Sequence, residues 1–207
     1  AWPLLKGKVE VDEVTLSQVA VNSANLIEGM QIKGVLGRFF LQSHGVDLSN
    51  ETAVVNRTEL SDTHIQLLMT DTTTTPKDTT ASAPVNWKVN LHQLKLKNVS
   101  FGMKLPADSM KMAAYIGEAT IDDAKADLKN QFYGLKQFLL SGASASYDTG
   151  EAQPSEGFDA SHMAVRNIRI GLDSLLYEGR NMNAVIREIT MEERSGLSIT
   201  SLTGRLF

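Results

Sequence analysis

A chain that repeats itself over a long period folds as stacked or tandem units rather than as one closed body. This chain repeats at 80 residues. Laid against itself with that offset, positions 8–67 align with 88–147 without a gap, and eleven of the 60 pairs are identical. Average residue usage gives roughly four identities by chance. The identical pairs are Lys8/Lys88, Val9/Val89, Leu16/Leu96, Val19/Val99, Met30/Met110, Gly37/Gly117, Asp47/Asp127, Leu48/Leu128, Asn50/Asn130, Leu60/Leu140 and Ser61/Ser141. Val11/Leu91, Val14/Leu94, Val21/Phe101, Leu36/Ile116 and Leu41/Ile121 keep their apolar character. A third copy opens near Phe158. Its skeleton Phe158, Ala160, Met163, Val165, Ile168, Ile170 has the spacing of Val9, Val11, Val14, Leu16, Val19, Val21, and the sequence ends at Leu206–Phe207 in mid-pattern.

The spacing within this skeleton is 2, 3, 2, 3, 2. Steps of two are strand alternation. A step of three inserts one residue, which in a flat strand sends every later side chain to the other face. Keeping one face apolar therefore needs a bulge, corner or turn at Asp12–Glu13, at His92–Gln93 and at Ser17–Gln18. Repeated bends predict a strongly curved sheet. The middle of the unit is ambiguous in one copy. Residues 121–140 have the composition of an amphipathic helix, but their counterparts 41–60 carry Gly45, Val46, Thr52, Val54, Val55 and Thr58, which favour extended chain. Two copies of one unit share a structure, so both are expected to be strands, as are the alternating segments 63–69 and 143–147.

The expected organisation is a first β unit over 1–69, a Thr-rich linker loop over 70–86, a second unit over 87–149, a loop over 150–157 and a shortened third unit over 158–207. Residues 70–84 (TDTTTTPKDTTASAP) have no apolar face and are expected to form a mobile, dispensable loop. The tripeptides Asp71-Thr72-Thr73 and Asp78-Thr79-Thr80 resemble acceptors for bacterial O-glycosylation. Both interruptions fall at the same place in the unit, so one edge of the array should bear the loops. The fold class expected is mainly β: elongated, curved antiparallel β-sheet repeats forming an apolar groove. A β-sandwich or β-solenoid is the alternative.

Composition narrows the functions. Lys plus Arg number 20 and Asp plus Glu 24, a formal charge of −4 with no basic block, which argues against nucleic acid as a partner. No apolar run approaches the length of a membrane span, and no secretion signal opens the sequence. The absence of cysteine removes disulfides, thiolate zinc sites and thiol catalysis.

Catalytic patterns are lacking. His44, His64, His92 and His162 show no metal-ligand spacing and read as solvent-facing strand or loop residues. Asp122–Asp123 and Glu192–Glu193 are neighbours on strands, so their side chains should point to opposite faces as solvated charge. No nucleophile elbow or phosphate loop is present. Trp2 and Trp87 each stand beside a unit start and read as packing anchors. No catalytic residue, metal ligand or cofactor is expected. What remains is the apolar face itself: Val14, Leu16, Val19 and Val21 in the first unit, Leu94, Leu96, Val99 and Phe101 in the second, and Met163, Val165, Ile168 and Ile170 in the third. Left uncovered, such a face signals a hydrophobic ligand or partner. Covered, it is a sandwich core.

Several stretches resemble a known family. They are Val85–Phe101 (VNWKVNLHQLKLKNVSF), Gly37 with Ser43-His44-Gly45-Val46-Asp47-Leu48, Phe158–Met163 (FDASHM), and Arg187–Ile199 (REITMEERSGLSI) followed by Leu202. Together with the repeat layout they resemble the TamB branch of the AsmA-like proteins, over almost the whole chain. The resemblance implies a segment of a longer periplasmic protein anchored in the inner membrane. Its β repeats would curl into an apolar groove that carries phospholipid between the inner and outer membranes by its acyl chains. An outer-membrane assembly partner would be met through regions outside this chain, and the family has no catalytic residues to carry over. A groove of this kind needs only continuous apolar lining, each buried CH₂ contributing about 0.8 kcal/mol. The second expectation is a scaffold that holds client strands of outer-membrane proteins by β-augmentation. The third is a polysaccharide enzyme on a β-solenoid, which the dispersed carboxylates and 6% aromatic content disfavour.

Overall fold

The computed structural model describes residues 7–9, 12–27, 29–69, 86–106, 109–150 and 153–207. The elements are β1 (Lys8–Val9), β2 (Glu13–Ile27), β3 (Met30–Asp47), β4 (Thr52–Met69), β5 (Lys88–Leu105), β6 (Met110–Asp127), β7 (Phe132–Leu135), β8 (Gln137–Asp148), β9 (His162–Glu178), β10 (Asn181–Glu193) and β11 (Ser198–Leu206). All belong to one sheet in chain order. β1 and β2 both pair with β3, and β7 and β8 both pair with β6 and β9, so each couple is one strand interrupted once. The sheet thus has three lateral positions per unit. Residues 121–140 are the end of β6, a turn, β7 and the start of β8, with no helix. The propensity of Ala, Lys and Leu there yields to cross-strand pairing.

Two features depart from a uniformly antiparallel array. β4 and β5 run parallel, from Thr52↔Lys88 to Leu68↔Lys104, while every other pair is antiparallel. A parallel pair needs a connection that returns the chain to the starting end of the strand. Met69 and Lys88 lie at opposite ends of the sheet, and residues 70–87 must cover that path, about 55 Å along 18 strand residues. The landing is fixed by Glu51, whose carbonyl accepts from Lys88 N (2.8 Å) and whose carboxylate accepts from Asn86 N (3.1 Å), and by the Trp87 carbonyl, which accepts from Leu128 N (2.9 Å). Trp87 is half-buried at the start of β5. Residues 70–85, with the expected mobility and both Asp-Thr-Thr tripeptides, lie outside the described residues, as does Trp2. The second departure is at β9, which pairs antiparallel with β8 from Phe138↔Leu172 to Asp148↔His162. The third unit therefore runs through the sheet in the reverse direction.

The inserted residue of the 2, 3, 2 pattern appears at one level across the sheet. Gln18, Asp62, Asn98 and Asn167 have φ of 53°, 50°, 52° and 53°, and Gly142 has 61°. Gln18 and Asn98 are repeat equivalents, as are Asp62 and Gly142. Register is unbroken through most of the line, because facing strands carry the extra residue together: Ser17↔Arg38 and Val19↔Leu36 leave Gln18 opposite Gly37, and Lys97↔Glu118 and Val99↔Ile116 leave Asn98 opposite Gly117. Asn and Asp tolerate this backbone region better than other side chains. Here Asn98 Nδ2 also donates to Asp62 Oδ1 at 2.8 Å, linking neighbouring crease residues. The glycines face a tight backbone: a Cβ on Gly37 would lie 2.3 Å from the Asp62 carbonyl oxygen, and one on Gly117 3.0 Å from that of Gly142.

A second crease passes through Asp123 (φ 49°) opposite His92, Gly45 (φ 125°) in a bulge of β3, and Lys136 between β7 and β8. The bends expected near Asp12–Glu13 and His92–Gln93 fall on this line. The turns after β3 and β6 are equivalent too. Asp47 Oδ1 accepts from Asn50 N (3.0 Å) and its Oδ2 from Asn50 Nδ2 (2.8 Å), and Asp127 binds Asn130 in the same way (3.2 and 2.8 Å). Lys8 and Lys88 reach Asp47 and Asp127 at 3.6 and 3.3 Å.

Two outcomes test this architecture. Gly37→Ala should destabilise the chain by about 2 kcal/mol through overpacking at the crease, and Gly204→Ala, with nothing within 4 Å of its added carbon, by less than about 0.5 kcal/mol. Urea unfolding of the two variants checks the difference, and equal midpoints would contradict the close approach. Deleting residues 70–84 should abolish the parallel junction and cooperative unfolding, because three remaining residues cannot return to Lys88. Replacing them with an equal length of Gly and Ser should preserve both.

Candidate functional site

Directly opposed residues in a sheet share a face, so the register can be followed from edge to edge. One row reads Leu16, Phe39, Leu60, Leu96, Ala119, Leu140, Ile170, Ile189, Leu202. The row on the side of the second crease reads Val14, Leu41, Thr58, Leu94, Ile121, Phe138, Leu172, Ile186, Gly204. Beyond the first crease come Val19 with Leu36, Thr63 with Val99 and Ile116, and Ala143 with Ile168. The next row is Val21, Gly34, Ile65, Phe101, Ala114, Ala145, Val165 and Glu193. The result is an apolar band across the full width of the sheet.

Among the described residues no second sheet packs on this band: every strand belongs to the one sheet and pairs edge to edge within it. The only buried apolar residues there are Ala119, Ala143 and Ala184, and no large side chain is fully buried. Ala119, Ala143 and Thr63 belong to the apolar face beside the first crease. These small side chains are covered by their larger cross-strand neighbours, as Ala119 is by Leu96 and Leu140. The large side chains stay partly wet: Leu16 is 43% exposed and Phe101 42%.

All twelve residues singled out by spacing lie on this face, but the third unit enters in reverse. Spacing aligns Met163, Val165, Ile168 and Ile170 with Val14, Leu16, Val19 and Val21. In the sheet Ile170 joins the row of Leu16, Ile168 stands level with Val19 and Val99, and Val165 joins the row of Val21. Leu172, not Met163, stands in the row of Val14, and Met163 lies one row further out opposite Tyr147. The lining residues that spacing misses come mainly from the second and third strands of each unit, notably Phe39, Leu60, Ile121, Phe138 and Leu140. The identity Leu60/Leu140 and the pair Leu41/Ile121 are their signal in the sequence.

The opposite face is polar. Arg38 and Arg57 place their guanidinium carbons 5.9 and 5.7 Å from the Phe40 ring, and Arg57 pairs with Glu59. A recess of about 1080 Å³ also opens on this side, beyond the first crease. In it His64 Nδ1 contacts Ser100 Oγ, and Gln66 Nε2 lies 3.2 Å from His64 Nε2. An amide rather than a carboxylate stands beside the second ring nitrogen.

Three expectations about charged groups are corrected. Asp122 and Asp123 do not diverge: both line a recess of about 400 Å³ with His92, Lys136 and Asp173, because the positive φ at Asp123 breaks the alternation. The hydrogen bond from His92 (3.1 Å), aided by Lys136, holds Asp123 below the usual carboxylate range. His162 is buried rather than solvent-facing, its Nδ1 2.9 Å from Asp159 Oδ2. Glu193 is also buried, accepting from Ser195 N (2.7 Å) and Ala164 N (3.2 Å), whereas Glu192 is half-buried beside Arg166. His162 and Glu193 cap the loop-bearing end of the sheet. No group of three residues able to hold a metal occurs among the described residues.

Ser195, through its hydroxyl and then its amide, pushes the Glu193 carboxyl down to about 2 from 4.5. The amide of Ser155, followed by His162, lowers Asp159 in the same way. Both groups bind protons more readily in the unfolded chain. Their contribution to stability is therefore complete above the ordinary carboxylate pKa and is lost as pH falls through the folded values. The urea midpoint should fall between about pH 6 and about pH 3, and Glu193→Gln should flatten that fall. An unchanged slope in the variant would remove Glu193 from the account.

No protein-family model matches the chain, and no curated protein matches it.

Proposed function

We propose that this chain is a non-catalytic segment of an apolar β-groove that carries phospholipid between the inner and outer membranes of a bacterial envelope, within a longer TamB-like protein of the periplasm. The observation that supports this is the unbroken row from Leu16 to Leu202 on a face that no second layer covers among the described residues. An acyl chain lying across the strands meets apolar side chains at every position of that row and crosses no polar barrier. Holding a lipid by its tails requires no head-group recognition, and the trough is wet enough at Leu16 and Phe101 to gain from being covered. No helix among the described residues is long and apolar enough to cross a membrane. In this reading membrane attachment and the outer-membrane partner belong to other parts of the protein.

Native mass spectrometry of the purified chain, together with Leu96→Asp, tests this reading. Leu96 sits between Leu60 and Ala119 near the middle of the row. The variant should fold, because the carboxylate can reach water in an open trough. It should lose co-purified lipid, because an unpaired charge against acyl chains costs several kcal/mol. Unchanged lipid binding in a folded variant would remove the row from the conduit. Bound unfolded outer-membrane strands in place of lipid would favour a scaffold that works by β-augmentation.

A further inference from the structure

We infer that the polar face carries a binding site for a phosphate-bearing anion at the loop-bearing end of the sheet. The site is a recess of about 340 Å³ whose rim holds Lys33 of β3, Lys104 of β5 and Lys111 of β6. Three observations point to it. Lys104 and Lys111 are direct cross-strand partners. Like charges in that arrangement destabilise a sheet, so the pair works against the fold rather than for it. Among the described residues, none of the three lysines has a carboxylate within ion-pair distance, as is also true of Lys95, Lys97, Lys125 and Lys129, so their charge is free to meet an anion. Asp148, the cross-strand partner of Lys111 on β8, makes no ion pair with it either.

The third observation is the shape between them. Lys33 and Gln31 stand on the same side of β3, and the rows they begin continue through Gln66, Gly102, Ala113 and Ser146, and through Leu68, Lys104 and Lys111. Gly102 and Ala113 therefore remove side-chain bulk where the lysines need room. A Cβ on Gly102 would meet nothing closer than 3.8 Å, so the open space is not forced by backbone crowding. Gln66 and Ser146 add polar groups to the wall, and Leu68 an aliphatic floor. Three ammonium groups around a shallow pocket of this size suit a phosphate carried on a small organic body. The source is either the head group of an anionic lipid at a bilayer surface or a soluble organic phosphate. The site is on the face opposite the trough, so it stands or falls independently of the lipid-conduit reading.

The test uses the whole chain with two probes, glycerol phosphate in solution and vesicles containing phosphatidylglycerol, against Lys104→Gln/Lys111→Gln. The wild type should bind at least the vesicles, and the double variant should bind about tenfold more weakly or worse, from the loss of two near-surface cations. Binding of both probes would identify the phosphate itself as the ligand, and binding of vesicles alone would identify the lipid head group. Lys95→Gln/Lys97→Gln, elsewhere on β5, controls for general charge and should change binding little. Gly102→Val should weaken binding without altering charge. The site is overturned if neither probe binds, if the double variant binds as wild type, or if the control pair loses as much.

Discussion

Everything in this sheet depends on one extra residue per strand, placed at the same level from β2 to β9. A left-handed backbone conformation costs roughly 1 kcal/mol or more for a residue with a side chain. In a single strand it would also break register with both neighbours. Shared by adjacent strands, it leaves most of the ladders in register and turns a local defect into a fold line. The line is occupied by residues suited to it. Asn and Asp stand where a side chain must tolerate positive φ, and glycine stands where a Cβ would meet the facing backbone at 3.0 Å or less. The apolar side chains on either side of the line stay on one face.

Among the described residues no second layer packs on that face. Most β proteins bury one face of a sheet against another element. Here the described residues bury only three alanines among the apolar side chains, so lateral hydrogen bonding and cross-strand contacts along long strands provide the cohesion. The buried polar groups among them are Ser23, Ser43, Thr63, His162 and Glu193. Each is satisfied close by: Ser23 accepts from Ile32 N, Ser43 donates to the Val54 carbonyl, Thr63 joins Gly37 N and the Ser61 carbonyl, His162 meets Asp159, and Glu193 accepts from the turn that it caps. Polarity is kept out of the central row of the trough, which gives a single apolar path its continuity.

The repeat identities can be matched to physical jobs. Lys8/Lys88 pair with Asp47/Asp127, Asn50/Asn130 close the turn on the same aspartates, Gly37/Gly117 admit the crease, and Leu16/Leu96 and Leu60/Leu140 line the trough. Comparing the units with each other therefore reveals turn chemistry, the crease and the lining together. It also resolves 121–140 as strands, since Val54, Val55 and Thr58 in the equivalent copy outweigh the helical composition.

Local alternation and the agreement of two copies are enough to establish that the chain is β, that its units bend where the spacing steps by three, and which side chains share a face. The direction of the third unit is not legible in the same way. A 2, 3, 2 spacing reads the same from either end, so it carries no sign of which way the unit runs. The parallel junction is hidden for a related reason: strand sequence carries no sign of which way a neighbour runs, and a polar linker looks dispensable until both its ends are placed. The burial of His162 and Glu193 depends on loop caps, and the convergence of Asp122 with Asp123 on one positive φ. These features emerge only once the chain is folded, because they arise where it leaves the regular alternation from which a sequence can be read.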